Sequence, residues 1–263
     1  MRRYSLDMPP PAATSHPRIR IGIGGWNYEP WRGTFFPPGL PRRQELAHAS
    51  ARLSAIEVNA TYYGTLKPAV FAGWREQTPE GFVFSLKASR FATNRKVLAS
   101  AAESIERFVG SGIAELGPKL GPIVWQFAPT KRFEPDDFGA FLALLPRRAG
   151  GLPLRHVLDV RHESFACAGY LELARRHDCA TVHTDAPQFP AIADPGNDLA
   201  YIRLMRSAAD CPTGYRPAEI AAWAQGARAW VAGGPRREVF LYFINGAKER
   251  APAAAIELMQ AVG

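Results

Sequence analysis

A chain of 263 residues suffices for one large domain or two small ones. Its 47% hydrophobic and 21% charged residues exclude a disordered polymer, and its apolar stretches are too short for a membrane span. The formal charge of +8 favours encounters with phosphates, nucleic acid or acidic surfaces, although no run of five basic residues concentrates it.

Residues 1–17, MRRYSLDMPPPAATSHP, read as a disordered leader, because Pro9, Pro10 and Pro11 interrupt the apolar segment that a secretory signal needs. From residue 18 onward, eight apolar segments of strand length recur, most of them separated by amphipathic helical stretches. The first, RIGIGG from Arg20, is followed by GGWNYEPWRGTFFPPG. Trp26 and Tyr28 in that loop are expected to offer a stacking platform, with Phe35 and Phe36 as filling. The glycines Gly22, Gly24 and Gly25 lack the spacing of a dinucleotide-binding turn, so an open doubly wound sheet remains only the runner-up.

A helix over 42–54 follows Pro41, and then comes AIEVNA from Ala55. A helix over 67–77 stops at Thr78 and Pro79 and leads into GFVFSLKA from Gly81. Asn94 is placed to cap a long helix running to Leu116, which Gly117 and Pro118 end. GPIVWQFA from Gly121, a helix over 136–145, HVLDVRH from His156, a helix over 168–177 and ATVHTDA from Ala180 follow. Residues 186–199 hold three prolines and a glycine, which predicts a loop where a helix is due. AYIRLM from Ala200, a helix over 217–231, EVFLYFIN from Glu238 and a helix over 252–262 complete the chain.

This alternation predicts the α/β class and a (β/α)8 TIM barrel of eight parallel strands. The helix between strands six and seven is replaced by a loop, and residues 18–263 form a single domain. Side chains alternate faces along a strand, so one parity of each segment points at the barrel axis. That parity assigns Glu57, Asn59, Lys87, Gln126, Asp159, Arg161, His183, Asp185, Arg203 and Asn245 to the interior near the C-terminal ends, where barrel enzymes place their sites. Charges persist in an interior only if paired or wetted, so the three carboxylates Glu57, Asp159 and Asp185 are expected to meet Lys87, Arg161 and Arg203 around one mouth. A structural ion pair is the competing account of any single couple, and a satisfied interior histidine that of His183. Convergence from several strands favours a pocket.

The motifs GGWNYEPWRGTFFPPG, EVNATYYGTLKPAVFAGWREQTPEGFVFSLKA, LGPIVWQFAP, DVRHESF and LYFINGAKERAPAAA together resemble the YecE-like family, a domain of unknown function with a TIM-barrel fold. The resemblance runs from about Ile21 to the C-terminus, and Glu57, Asn59 and Tyr62 with Trp74, Thr78, Pro79 and Lys87 carry most of it. It implies a barrel with polar residues clustered at the top, and it supplies no reaction. The chain departs from the family pattern at Asp159, where glutamate is usual, at Met205 and Arg206, where a His-Gly pair is usual, and at Asn245, which is what remains of an asparagine-rich strand end.

The expected activity is acid/base chemistry, of a hydrolase, lyase or isomerase kind, on a small anionic or phosphorylated ligand. Lys87, Arg161 and Arg203 would hold the anion, and Glu57, Asp159 or His183 would move a proton. Trp26, Tyr28, Asn59, Tyr62, Gln126, Asp185 and Asn245 would line the substrate. The alternative is a non-catalytic nucleic-acid or nucleotide binder using the basic surface and aromatic loop, and no membrane partner is expected. No cofactor or metal is expected. A metal-assisted variant through Asp159, His162, Glu163, His183 and Asp185 ranks lower, because Lys87 and Arg161 repel a cation and no His-Glu-x-x-His motif occurs. Three scattered cysteines, Cys167, Cys179 and Cys211, lack metal-ligand spacing and make a poor disulfide framework, which points to the cytoplasm. Cys167 at a helix start is read as an ordinary small residue.

Overall fold

A computed structural model describes residues 17–263, so all but the last residue of the leader read over 1–17 lies outside the described residues. The strands are β1 (Ile19–Gly24), β2 (Ala55–Val58), β3 (Val83–Lys87), β4 (Leu120–Gln126), β5 (His156–Asp159), β6 (Cys179–Thr184), β7 (Leu199–Leu204) and β8 (Glu238–Phe243). All eight segments recognised in the sequence become barrel strands. They form one closed parallel barrel in sequential order, with β1 pairing β2 on one side and β8 on the other. A short antiparallel hairpin, Arg148–Ala149 with Leu152–Pro153, precedes β5.

Nine α-helices follow the strands among the described residues: α1 (Glu45–Ser50), α2 (Ala60–Tyr63), α3 (Pro68–Glu76), α4 (Arg90–Thr93), α5 (Ala102–Val109), α6 (Pro135–Ala143), α7 (Ala168–Arg176), α8 (Pro217–Ala232) and α9 (Ala251–Val262). Proline opens α3, α6 and α8, where its fixed φ suits the first turn and its missing N–H costs nothing. Glu219 caps α8 by accepting the Arg216 backbone N–H at 2.8 Å. No helix lies between β6 and β7, as the prolines there predicted. No described helix is long and apolar enough to cross a membrane.

The short helices α2 and α4 are additional to those expected, the helix expected over 42–54 ends at Ser50 after a 3-10 turn over Arg42–Gln44, and one long expected helix is broken. The stretch from Asn94 to Leu116 is not continuous: α4 ends before it, a 3-10 turn covers Leu98–Ser100, α5 takes Ala102–Val109 and a second 3-10 segment takes Ile113–Lys119. Asn94 sits at the C-terminus of α4, its N–H donating to the Arg90 carbonyl at 2.8 Å. Gly112 supplies the break, with φ 105°, and a Cβ there would fall 2.7 Å from Pro68 Cα. Only glycine permits both the left-handed turn and that approach to α3.

Two apolar layers hold the barrel. Outward residues such as Ile21, Ile23, Ile56, Phe84, Leu86, Trp125, Leu158 and Leu241 pack under the helices. Inside, Ala55, Val83, Val124, Val157, Ala180, Val182 and Phe240 fill the space toward the N-terminal ends of the strands. Gly22 is dictated by closure, because a Cβ there would lie 1.8 Å from the Ala55 carbonyl oxygen on β2. At the base of β5, His156 donates from Nε2 to the Pro146 carbonyl at 2.8 Å, which leaves Nδ1 free to accept the Trp125 indole N–H at 3.0 Å. Burial lowers the pKa of His156 and keeps this neutral form.

Candidate functional site

Above the apolar layer the interior turns polar. Tyr201 and Tyr242 form the transition, with ring centroids 5.3 Å apart and the Tyr242 hydroxyl 2.8 Å from Ser85 Oγ. Tyr201 donates its hydroxyl to Glu57 Oε2 at 2.8 Å. Arg203, only 1% exposed, sits centrally, reaching Glu57 Oε1 at 3.0 Å and Asp159 Oδ2 at 2.5 Å. Burial works against its charge, but Glu57 and Asp159 together outweigh that, and the arginine pKa lies above its ordinary value. Its Nε has no protein acceptor among the described residues.

Arg161 closes the arrangement from above. Its guanidinium reaches the same Asp159 oxygen at 2.9 Å and the Gln126 side-chain oxygen at 2.9 Å, while Arg203 reaches that Gln126 oxygen at 3.2 Å. The loop between β6 and β7 contributes Phe189, whose ring lies 4.6 Å from the Arg161 guanidinium carbon. Lys87, at the end of β3, is 7% exposed and places its ammonium 4.0 Å over the Tyr62 ring. Among the described residues its Nζ has no hydrogen-bond or ion-pair partner. Both nearby carboxylates are already engaged by the arginines. Burial first, then the Arg203 charge, lowers the Lys87 pKa to about 8 against the opposing pull of Glu57. Asn59, just past the end of β2, places its amide nitrogen 3.4 Å from where a Cβ on Gly24 would stand.

Seven residues predicted for the site are therefore brought together: Glu57, Tyr62, Lys87, Gln126, Asp159, Arg161 and Arg203, while Asn59 lies toward Gly24. Within the group the carboxylates differ from expectation in access, since Glu57 is 0% exposed and Asp159 3%. They face arginines before they face solvent.

The others are not brought together. On β6 it is Val182 and Thr184 that point inward, opposite Tyr201 and Arg203, so His183 faces the helices. Its ring lies 6.1 Å from Trp223 of α8, with Nδ1 3.3 Å from the Ile192 carbonyl. Asp185 lies beyond the strand and staples the next loop, accepting the Met205 N–H at 2.6 Å and the Tyr215 hydroxyl at 2.7 Å. Asn245 follows the end of β8 on the outward parity and is exposed, with Ile244 turned inward instead. Trp26 packs edge-on against Trp74 and Phe84 at 5.2 and 6.4 Å, inside the layer between strands and helices. Tyr28 lies against Trp31 at 5.3 Å with the Lys248 ammonium 4.7 Å over its ring. The aromatics of the loop are thus taken up by packing on one another and on neighbouring segments, with Trp31 and Phe36 buried.

The donor set of the metal-assisted variant is dispersed as well. His162 caps the 3-10 turn Glu163–Phe165, accepting the Ser164 N–H at 3.1 Å, and Glu163 is exposed. No three His, Cys, Asp or Glu side chains gather as a metal site among the described residues. Phe189 and Thr184 are contributors that the sequence reading left out, and Tyr201, which alternation turns inward with Arg203, is one it did not assign to the site. Only Tyr201 carried a signal, since it shares the parity of Arg203.

A cleft of about 290 Å³ lies at the opposite end of the barrel, lined by residues including Leu142, Arg147, Leu154, His156, His177 and Asp178. Its buried histidine is consumed by Trp125 and Pro146, so the cleft offers less chemistry than the mouth does.

The profile of a family described as "Protein of unknown function DUF72" matches residues 20–263. The UPF0759 protein YecE of Escherichia coli K12 is 26% identical over 188 residues, 67% of this chain; the match spans 65% of YecE, just under two thirds of its length. The UPF0759 protein YunF of Bacillus subtilis 168 is 24% identical over 159 residues, covering 59% of this chain and 54% of YunF. Among solved structures, a DUF72 family protein from Enterococcus faecalis V583 superimposes with a TM-score of 0.72 at 20% identity, covering 93% of this chain and 95% of that one. A DUF72 family protein from Thermotoga maritima MSB8 gives a TM-score of 0.70 at 21% identity over 92% and 96%. At these identities the solved structures establish the shared barrel fold.

Proposed function

The chain belongs to the DUF72 family, whose description assigns no activity, and from that premise we propose that the barrel mouth binds a small anionic, phosphate-bearing ligand and acts on it by acid/base chemistry. The observation that carries this reading is Lys87. It is a residue only 7% exposed, whose amine has no carboxylate of its own, in a mouth where three cations face two carboxylates and one positive charge is left over. A buried charge of that kind is costly unless something binds to it. Arg161, with its side chain 15% exposed, is the second group within reach of a ligand. Glu57 and Asp159 hold the arginines in place, and Lys87, with a pKa of about 8, is the group suited to exchange a proton near neutral pH.

The test is binding of inorganic phosphate and pyrophosphate by calorimetry in low salt. A charge-assisted hydrogen bond contributes about 1.5–3 kcal/mol, so Lys87→Met is expected to weaken binding by roughly 10- to 150-fold. Wild-type affinity is expected to fall as pH rises through 8 and the ammonium loses its proton. Equal affinity in wild type and variant, or no binding by wild type, ends the proposal.

A second reading, non-catalytic nucleic-acid or nucleotide binding, is favoured by one observation. Tyr63 and Phe91 are 62% and 57% exposed, and the Arg90 guanidinium lies 5.7 and 5.3 Å from their rings. Exposed aromatics around a cation suit base stacking. Fluorescence anisotropy with a single-stranded oligonucleotide at 50 and 200 mM salt checks it: a steep salt dependence abolished by Tyr63→Ala with Phe91→Ala supports nucleic acid, and no measurable binding removes it.

A further inference from the structure

We propose that the Lys87 amine forms a Schiff base with the carbonyl carbon of a phosphorylated aldehyde or ketone bound at the barrel mouth. This rests on the anionic-ligand reading above and names the substrate class for that same site.

The six lysines of the chain separate by what their amines meet. Lys119 Nζ donates to the Arg75 and Thr78 carbonyls at 2.6 and 2.5 Å, and Lys131 Nζ to the Lys96 carbonyl at 2.8 Å and to Asp137 at 3.0 Å. Each of those amines is engaged as a hydrogen-bond donor. Lys67 and Lys96 are exposed. Lys248 is half-buried over Tyr28 and Trp31, away from the guanidinium groups of the mouth. Lys87 alone combines burial, an aromatic face in place of an acceptor, and a strand-borne position among Arg161, Arg203, Glu57 and Asp159.

Imine formation needs those conditions. The neutral amine is the nucleophile, and a buried site beside other cations keeps more of it neutral. Burial and the two arginine charges bring the Lys87 pKa to about 8, so at pH 7 on the order of a tenth of it carries a free lone pair. That lone pair attacks the carbonyl carbon, a C–N bond forms, and the carbonyl π pair moves to oxygen, which takes a proton. The nitrogen gives one of its protons to that oxygen, the C–O bond breaks as water leaves, and the nitrogen lone pair forms the C=N bond of a protonated imine, with one proton taken up overall. The step releases one water and consumes no oxidant or reductant. Glu57 and Asp159 partly offset the arginine charges on the cation so formed, and Arg161 remains beside the phosphate.

The experiment uses the whole protein with glycolaldehyde phosphate and sodium cyanoborohydride, which reduces any imine to a stable secondary amine that peptide mass mapping locates. One adduct per chain at Lys87 is expected, forming at least tenfold faster than at any other lysine, faster at pH 8 than at pH 6.5, slowed by inorganic phosphate and absent in Lys87→Met. Labelling of Lys248 at the same rate overturns the proposal, because a lowered lysine pKa would then suffice without the mouth. Phosphate binding that depends on Lys87 with no trapped adduct overturns the Schiff base and leaves the anion site standing. Equal labelling by unphosphorylated glycolaldehyde, with no protection by phosphate, sustains the Schiff base and removes the anion reading.

Discussion

Replacing Arg203 with methionine is expected to destabilise the protein by about 3–5 kcal/mol, because it strands two carboxylates inside the barrel. Arg203 is 1% exposed, and the carboxylates it serves are Glu57 at 0% and Asp159 at 3%. Glu57 would keep only the Tyr201 hydroxyl at 2.8 Å, and Asp159 only Arg161. For a domain of this size each kcal/mol moves the melting temperature by about 2–4 °C, so a fall of roughly 6–20 °C is the readout in calorimetry or thermal circular dichroism. Pairing the change with Glu57→Leu should recover part of the loss, since an apolar pair of similar volume leaves one fewer charge unmatched. A loss below 1 kcal/mol for Arg203→Met would mean that water reaches the network, and the carboxylates would return as candidates for direct proton transfer.

Lys87→Met is expected to shift stability the other way. The drop of the Lys87 pKa from 10.5 to about 8 corresponds to a penalty on the order of 3 kcal/mol for keeping the ammonium in the mouth. Methionine keeps the packing on Tyr62 and carries no charge. Below pH 8 both the folded and the unfolded chain bind the proton, so the folded wild type bears the full penalty and the variant melts higher. Between pH 8 and 10.5 the unfolded chain binds a proton that the folded one does not, so wild-type stability rises with pH and the gap narrows. Melting curves of both proteins at pH 7 and 10 measure it. A variant less stable than wild type at pH 7 would make Lys87 a structural residue and weaken both proposals that rest on it. A gain in stability coupled to lost phosphate binding is the pattern of a residue retained for function.

Much of this molecule is legible from residue order. Strand-length runs rich in Ile, Val and Phe, broken by prolines and glycines at helix starts and stops, lead to eight parallel strands, and the proline-rich 186–199 segment announces its missing helix. The inward placement of Glu57, Lys87, Asp159 and Arg203 follows from alternation, since a charged residue between outward Ile56 and Val58, or between Leu158 and Val160, has one face left to take. The helix read after Asn94 differs: its periodicity suits one long helix, but the segment forms α5 between two 3-10 segments, and Gly112, packed against Pro68, ends the helical run after α5.

Alternation loses its meaning where both faces of a strand are apolar, and there only the tertiary structure decides. In β6, Ala180 and Val182 fill the barrel while Thr181 bonds the buried Tyr170 hydroxyl at 2.9 Å on the helix side, which reverses the polarity cue and carries His183 outward. In β8, Phe240 and Tyr242 face in while Leu241 and Phe243 face out, so nothing local places Asn245. Trp26 and Tyr28 could be assigned to the loop after β1 but not to a direction, because a loop's path is set by which distant surface buries its aromatics. The sequence by itself determined a barrel and the charges at its mouth. Which charges are sealed against each other and which amine is left without a partner depended on distances across the barrel between residues up to 146 positions apart, and local patterning carries no record of those.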